Sequence, residues 1–239
     1  MPLRDMAGAW HRFLQSELPR PVDGGTDASA ARRFTPTAYA SRAMAGHSVQ
    51  AYRRGVGRKR RAEDPGAFYH VGTRGNDKQP IYFAEWSGDL FLRLLERTAR
   101  RHGWSVFAYV LMTNHYHLVI RISEQGFSHG MCELNGIFAK ASNDELGRSN
   151  HLFGGRFWSE LIDTTEYLLE ACRYVVLNPE RAGVIDDARH WRWSSFGATL
   201  GDARPPAFLA SSDLLRLFAK DPKTARQLFA DFVEKGRDR

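Results

Sequence analysis

Cysteine is scarce in this 239-residue chain. There are two, Cys132 and Cys172, with no Cys-x-x-Cys spacing. That excludes a disulfide framework and a zinc ribbon, and suits small buried thiols in a reducing compartment. No apolar run is long enough to span a bilayer, and the opening MPLRDMAGAWHRFLQ has no long apolar core of a secretory signal. Acid is short relative to base. Asp and Glu number 27 against 34 Lys and Arg, a formal charge of +7. The resulting pI near 9.6 suits a polyanionic partner such as nucleic acid and a cytoplasmic, nucleoid-associated protein. What is present in normal measure is apolar content, 43%, enough for a globular core.

The first 50 residues have scattered charge and no sustained period, which predicts a poorly ordered segment apart from a short helix near Trp10–Leu14. Arg53, Arg54, Arg58, Lys59, Arg60 and Arg61 follow without an intervening acid. Such a tract adds sequence-independent phosphate affinity or is a solvated tail. The chain divides accordingly into a basic extension over 1–64, a domain over 65–200 and a helical tail over 201–239.

From Gly66 the texture changes. AFYHVGT over 67–73 predicts a strand ending in the turn signal Arg74-Gly75-Asn76. Leu90, Phe91, Leu94, Leu95 and Thr98 recur at helical spacing and predict a helix stopping at Gly103. WSVFAYVLM over 104–112 and HYHLVIRI over 115–122 predict two buried strands, antiparallel across Thr113-Asn114. Met131, Leu134, Ile137, Phe138 and Ala141 mark a second helix, and 157–162 a short strand. Asp163 and Glu166 have capping-box spacing for a third helix to about Leu177, closed by Pro179 and Gly183. Two short helices, the second capped at Asp221-Pro222, fill 211–234. The order predicts an α+β fold of ferredoxin-like β-α-β-β-α-β type. Its antiparallel sheet carries helices on one face, leaves the other face free for a site, and is followed by a C-terminal helical extension.

The chemistry-bearing residues fall on two elements. His115 and His117, two apart in a strand, share a face, and two adjacent imidazoles are half of a divalent-metal site or simply a satisfied pair on a sheet. Tyr174 and Asn178, four apart in a helix, also share a face. Tyr174 reads as a core-edge residue or as a phenol presented to a cleft, Asn178 as a helix C-cap or an oxygen ligand. His70 could face the same site, with structural packing the simpler role. His102, His129, His151 and His190 have no convergent spacing.

YVLMTNHYHLVI resembles the histidine–hydrophobe–histidine signature of single-tyrosine transposases of the insertion-sequence 200-like family, and RYVVLNPERAG resembles the tyrosine motif of its REP-associated branch. HVGTRGN, HLFGGRFWS and WRWSSF are similar to further blocks of that branch, in the same order, over roughly 66–200. Thr113 and Gly155 depart from residues frequent in the family, proline and glutamine. The resemblance implies that His115, His117 and Asn178 hold one Mg²⁺ or Mn²⁺ and that Tyr174 is the nucleophile. It implies a strand transferase that cuts and joins single-stranded DNA, at repeated hairpins, through a 5′-phosphotyrosine. Arg74, Asn76, Arg121 and Arg156, with Phe157 and Trp158, are candidates for gripping phosphates and stacking bases. Trp191 and Trp193 read as core anchors for the C-terminal extension. A non-catalytic hairpin-binding protein of the same fold is the alternative, and a water-using metal hydrolase a third reading. The wider family implies a monomer or a homodimer, with Arg181 and the tail in position to hold the tyrosine helix in cis.

Overall fold

The computed structural model describes residues 63–123 and 126–237. The expectations for the segment before residue 63, its basic tract included, lie outside the described residues. The elements alternate as β1 (Phe68–Arg74), α1 (Glu85–His102), β2 (Trp104–Met112), β3 (His115–Ile122), α2 (Phe127–Leu146), β4 (Trp158–Ile162) and α3 (Thr165–Arg181). Three helices follow: α4 (Phe196–Leu200), α5 (Ser211–Arg216) and α6 (Pro222–Glu234). The four strands form one antiparallel sheet in the order β2-β3-β1-β4, so the ferredoxin-like α+β reading holds.

Period two sends alternate residues to opposite faces. On one face Tyr69, Val71, Tyr116, Leu118 and Ile120 pack with Phe91, Leu95, Met131 and Phe138 of α1 and α2. On the other, Val110, Met112 and Val119 pack with Ala171, Cys172 and Val175 of α3 and with Phe229 and Val233 of α6. The second face is therefore not free. It carries the third helix and the C-terminal helices, which share one core with it, and a site there must lie at the margin of α3. Strand β2 serves both layers through a bulge. Val106 pairs with Ile120 and Ala108 with Val119, so Phe107 is the extra residue and joins Ala108 on the α3 side.

Local signals explain the boundaries. Gly103 ends α1 at φ 63, the left-handed conformation glycine enters without a Cβ penalty. Thr164, not Asp163, caps α3: its hydroxyl accepts from the Tyr167 backbone N–H at 3.1 Å. Helix α3 also runs past the expected stop, through Pro179 to Arg181. The Pro179 carbonyl accepts from Val184, and the turn is made only where Gly183 adopts φ 66. Strand β4 begins at Trp158, one residue late, because Phe157 drops into the α1–α2 core. Asp221 caps α6 as expected, its carboxylate accepting from Thr224. Cys172 is buried, but Cys132 is exposed, since it follows Met131 onto the outer side of α2.

The outer edge of β2 is covered by chain that follows α3. Leu111 N–H donates to Trp193 O, Ser195 N–H to Tyr109 O, and the Trp191 indole N–H to Leu111 O. Trp191 packs with the α3 layer and Trp193 with the α1–α2 layer, so the two anchor opposite faces. Farther along, Val106 N–H donates to Phe208 O, and the Val106 carbonyl accepts from Ala210 N–H.

Candidate functional site

His115 and His117 project from β3 toward α3, as their spacing predicts. Their ring centroids are 5.1 Å apart. Tyr174 and Asn178 descend from α3 onto the same spot. The Tyr174 ring meets His117 edge-on at 5.5 Å, and Asn178 Oδ1 lies 3.4 Å from His115 Nε2. Asn178 sits within the helix and is no C-cap. Both helix residues are half-buried. The structure thus brings together, in one subunit, all four residues singled out from the strand and the helix.

It adds three more: His70, for which packing is the simpler reading, Trp158, a candidate for base stacking, and Asn114, read only as turn. His70 on β1 places Nε2 3.2 Å from His117 Nδ1, and its ring stacks edge-on against Tyr174 at 5.7 Å. Trp158, the first residue of β4, lies across His70 and His117 at 4.7 and 5.6 Å. Gly72 makes room for that indole: a Cβ there would sit 2.7 Å from it and 2.8 Å from the Tyr116 carbonyl. Asn114, read only as part of a turn, places Oδ1 2.7 Å from His115 Nδ1, while its Nδ2 donates to the Lys78 carbonyl. The signal for His70 was available, since a strand residue of that parity must share the histidine face. The role of Asn114 was not, because it depends on the path of the loop at Lys78.

The electrostatics follow from burial. Desolvation pushes His70 down to about 3 and His115 down to about 4, the latter helped by Arg74 and opposed by its contact with Asn178. Burial, then the neighbouring His70, His115 and Arg74, holds His117 well below the usual imidazole range. All three rings are neutral at pH 7, the state in which imidazole offers a lone pair to a metal.

Tautomers can be read from the partners. The Asn114 amide is oriented by Lys78, so His115 Nδ1–H donates to its oxygen and Nε2 is left bare. That lone pair faces the Asn178 side chain, whose oxygen is 3.4 Å away, a spacing that a cation held by both atoms would satisfy. His117 turns Nδ1 to His70, and with Nδ1–H donating there its Nε2 would offer a lone pair. Two imidazole nitrogens, each with an outer partner, and one carboxamide oxygen fit a divalent cation. Among the described residues no group of three or more His, Cys, Asp or Glu is arranged to hold a metal, so any cation here depends on the neutral Asn178.

The basic candidates divide. Arg74 pairs with His115 across β1 and β3 and is exposed at the site's edge. Asn76 and Arg156 line a separate cavity of about 660 Å³ beneath α2, with Asn135, Asn143 and Asn150. Arg121 shares the histidine face of β3 but lies at its far end, where Nε donates to the Gly66 carbonyl and the guanidinium rests 5.7 Å from the Phe68 ring. His102 bonds Glu133, and His190 pairs with Asp187; neither approaches the site.

The family described as "Transposase IS200 like" matches residues 66–175. No curated protein matches the chain. Among solved structures, a REP-associated tyrosine transposase bound to a REP hairpin is similar at 18% identity, covering 65% of this chain and 92% of that one, with a TM-score of 0.52. A candidate transposase from Deinococcus radiodurans is similar over 46% of this chain and 88% of that one, at 15% identity and a TM-score of 0.36. The first likeness matches the fold; the second is too loose to carry weight. Among the described residues no helix is long and apolar enough to cross a membrane. The segment similar to the IS200-like transposase family, 66–175, holds the sheet, both histidines and Tyr174.

Proposed function

We propose that this protein is a metal-dependent, single-tyrosine endonuclease and strand transferase acting on single-stranded DNA, with hairpin-forming strands as its substrates. One observation carries the reading: the Tyr174 phenol packs against His117 while Asn178, one turn on, meets His115. A nucleophile and three candidate metal ligands converge within one chain.

His115, His117 and Asn178 would hold Mg²⁺ or Mn²⁺, and the bound ion would neutralise phosphate charge and fix the scissile group for in-line attack. Tyr174 attacks phosphorus through its phenolic oxygen. The P–O3′ bond breaks, giving a 5′-phosphotyrosine and a free 3′-hydroxyl, and the phenol proton passes to water. The phosphodiester is exchanged for a phosphotyrosyl ester, so a second 3′-hydroxyl can reverse the step without a nucleotide cofactor. His70 braces His117 and walls one side of Tyr174. Trp158 closes the other side and offers an apolar rim for an unstacked base. Arg74 serves the strand's phosphates at the edge of the site, and Asn76 and Arg156 serve them farther along, in the cavity beneath α2; Arg121 is a peripheral contact.

The test is covalent capture. Labelled hairpin oligonucleotides with single-stranded flanks are incubated with the protein, with and without Mg²⁺ or Mn²⁺, and resolved under denaturing conditions. Wild type gives a protein–DNA adduct only with the cation, and Tyr174→Phe gives none while still binding DNA. Cleavage without adduct would favour a water-using hydrolase. Binding with neither cleavage nor adduct would leave a hairpin-binding protein.

A further inference from the structure

The substrate of the proposed centre is anionic, and its ligands, two neutral imidazoles and a carboxamide, add no negative charge to repel it. One cation beside the nucleophile has no role in the reading above. Arg181 lies seven residues after Tyr174 and three after Asn178, so all three project from one narrow side of α3. Helical side chains lean toward the N-terminus. Arg181 accordingly reaches back along the helix, its guanidinium carbon 5.8 Å from the Tyr174 ring centroid.

Several features mark it out from the other arginines of this region. Arg173 pairs with Glu170, and Arg237 with Glu180, Asp187 and Glu234. Arg181 has no carboxylate at ion-pair distance among the described residues. One of its N–H groups donates to the Gly236 carbonyl at 3.0 Å, which fixes the fork without neutralising it. Among the described residues its other N–H groups make no hydrogen bond, and the residue is exposed although its head is partly buried. Burial of the head lowers its pKa while Tyr174 raises it. It remains a cation, and a guanidinium fork matches two oxygens of a phosphate.

We propose that Arg181 binds the phosphodiester that Tyr174 attacks, gripping its non-bridging oxygens from the α3 side while Arg74 approaches from β1. This rests on the reading of the site as a single-strand DNA transferase. It gives the tail a function as well: Gly236, just past α6, aims the arginine. Arg181 is thus assigned as a phosphate-binding residue, not only a clasp for the C-terminus.

The test uses the full-length chain with Arg181→Gln, Arg181→Lys and Arg237→Gln. Two quantities are read: the single-turnover rate of adduct formation, and the salt dependence of single-strand affinity in a Tyr174→Phe background. Arg181→Gln is expected to slow adduct formation about tenfold or more. It should also flatten the log–log salt slope by about 0.7, the loss of one phosphate contact. Arg181→Lys keeps the slope and recovers only part of the rate, because a point charge replaces the fork. Arg237→Gln loosens the tail's ion pairs and leaves the slope unchanged. An unaltered slope in Arg181→Gln overturns the proposal. So does an Arg237→Gln variant that loses rate and slope as Arg181→Gln does at an equal drop in melting temperature, since Arg181 would then act only by holding the tail. If wild type forms no adduct, the transferase chemistry fails, and the salt slope still decides whether Arg181 meets phosphate.

Discussion

At the scale of single residues, the site is organised by what stands behind its proposed ligands. Asn114 fixes the ring of His115, and His70 that of His117. Outer partners of this kind set metal affinity. Asn114→Ala is expected to weaken Mn²⁺ binding by ~10–100-fold, read by titration of the folded protein, with little change in melting temperature. The buried rings also make stability depend on pH. Unfolded histidine binds a proton below about 6.5, whereas folded His70 does so only near 3 and His115 near 4. Their contribution is complete above pH 6.5 and is lost as pH falls toward those values. The urea midpoint of metal-free protein should therefore drop between pH 7.5 and pH 5; an unchanged midpoint would show that the rings are hydrated. The His-x-His and Tyr-x-x-x-Asn pairs were legible because a strand and a helix each have a fixed period. His70 and Asn114 were harder, since their roles depend on which strand neighbours β3 and on where a loop carbonyl falls.

At the scale of elements, α3 carries the proposed nucleophile, one proposed ligand and the proposed phosphate grip on a single rigid rod. Its start depends on Thr164. Thr164→Ala removes the hydroxyl that satisfies the Tyr167 N–H and should cost ~1 kcal/mol, seen as a lowered denaturation midpoint. A threonine-for-serine exchange there should be nearly silent. Strands and helices were read from periodicity with small boundary errors, each with a local cause. Asp163 and Thr164 are both good caps, and only backbone geometry selects between them. Pro179 looked like a stop, yet the helix tolerates it one turn from its end, where Gly183 supplies the left-handed turn. The covered second face was not legible. Nothing in the apolar pattern of α5 and α6 says which surface they seek, and they seek the flank of β2 and α3.

At the scale of the whole molecule, the proposed centre is complete within one chain. Tyr174 rests on its own His117, and the tail clasps α3 through Arg173 to Phe232 O and Arg181 to Gly236 O. The expected consequence is catalysis in cis. Mixing a Tyr174→Phe variant with a His115→Ala, His117→Ala variant should not restore adduct formation. Restoration to a sizeable fraction of wild type would mean that helices exchange between subunits, and a sedimentation profile showing only dimer would point the same way.

The strap of residues 191–195, with 208–210 beyond it, occupies the hydrogen-bonding groups along the flank of β2. At the opposite margin β4 is five residues long and bears Glu160. Neither rim of the sheet is a good template for a stray β-segment. A sheet with both rims so occupied is guarded against zipping onto its neighbours, and whatever assemblies the protein enters are expected to be built through side chains and not by extension of its sheet.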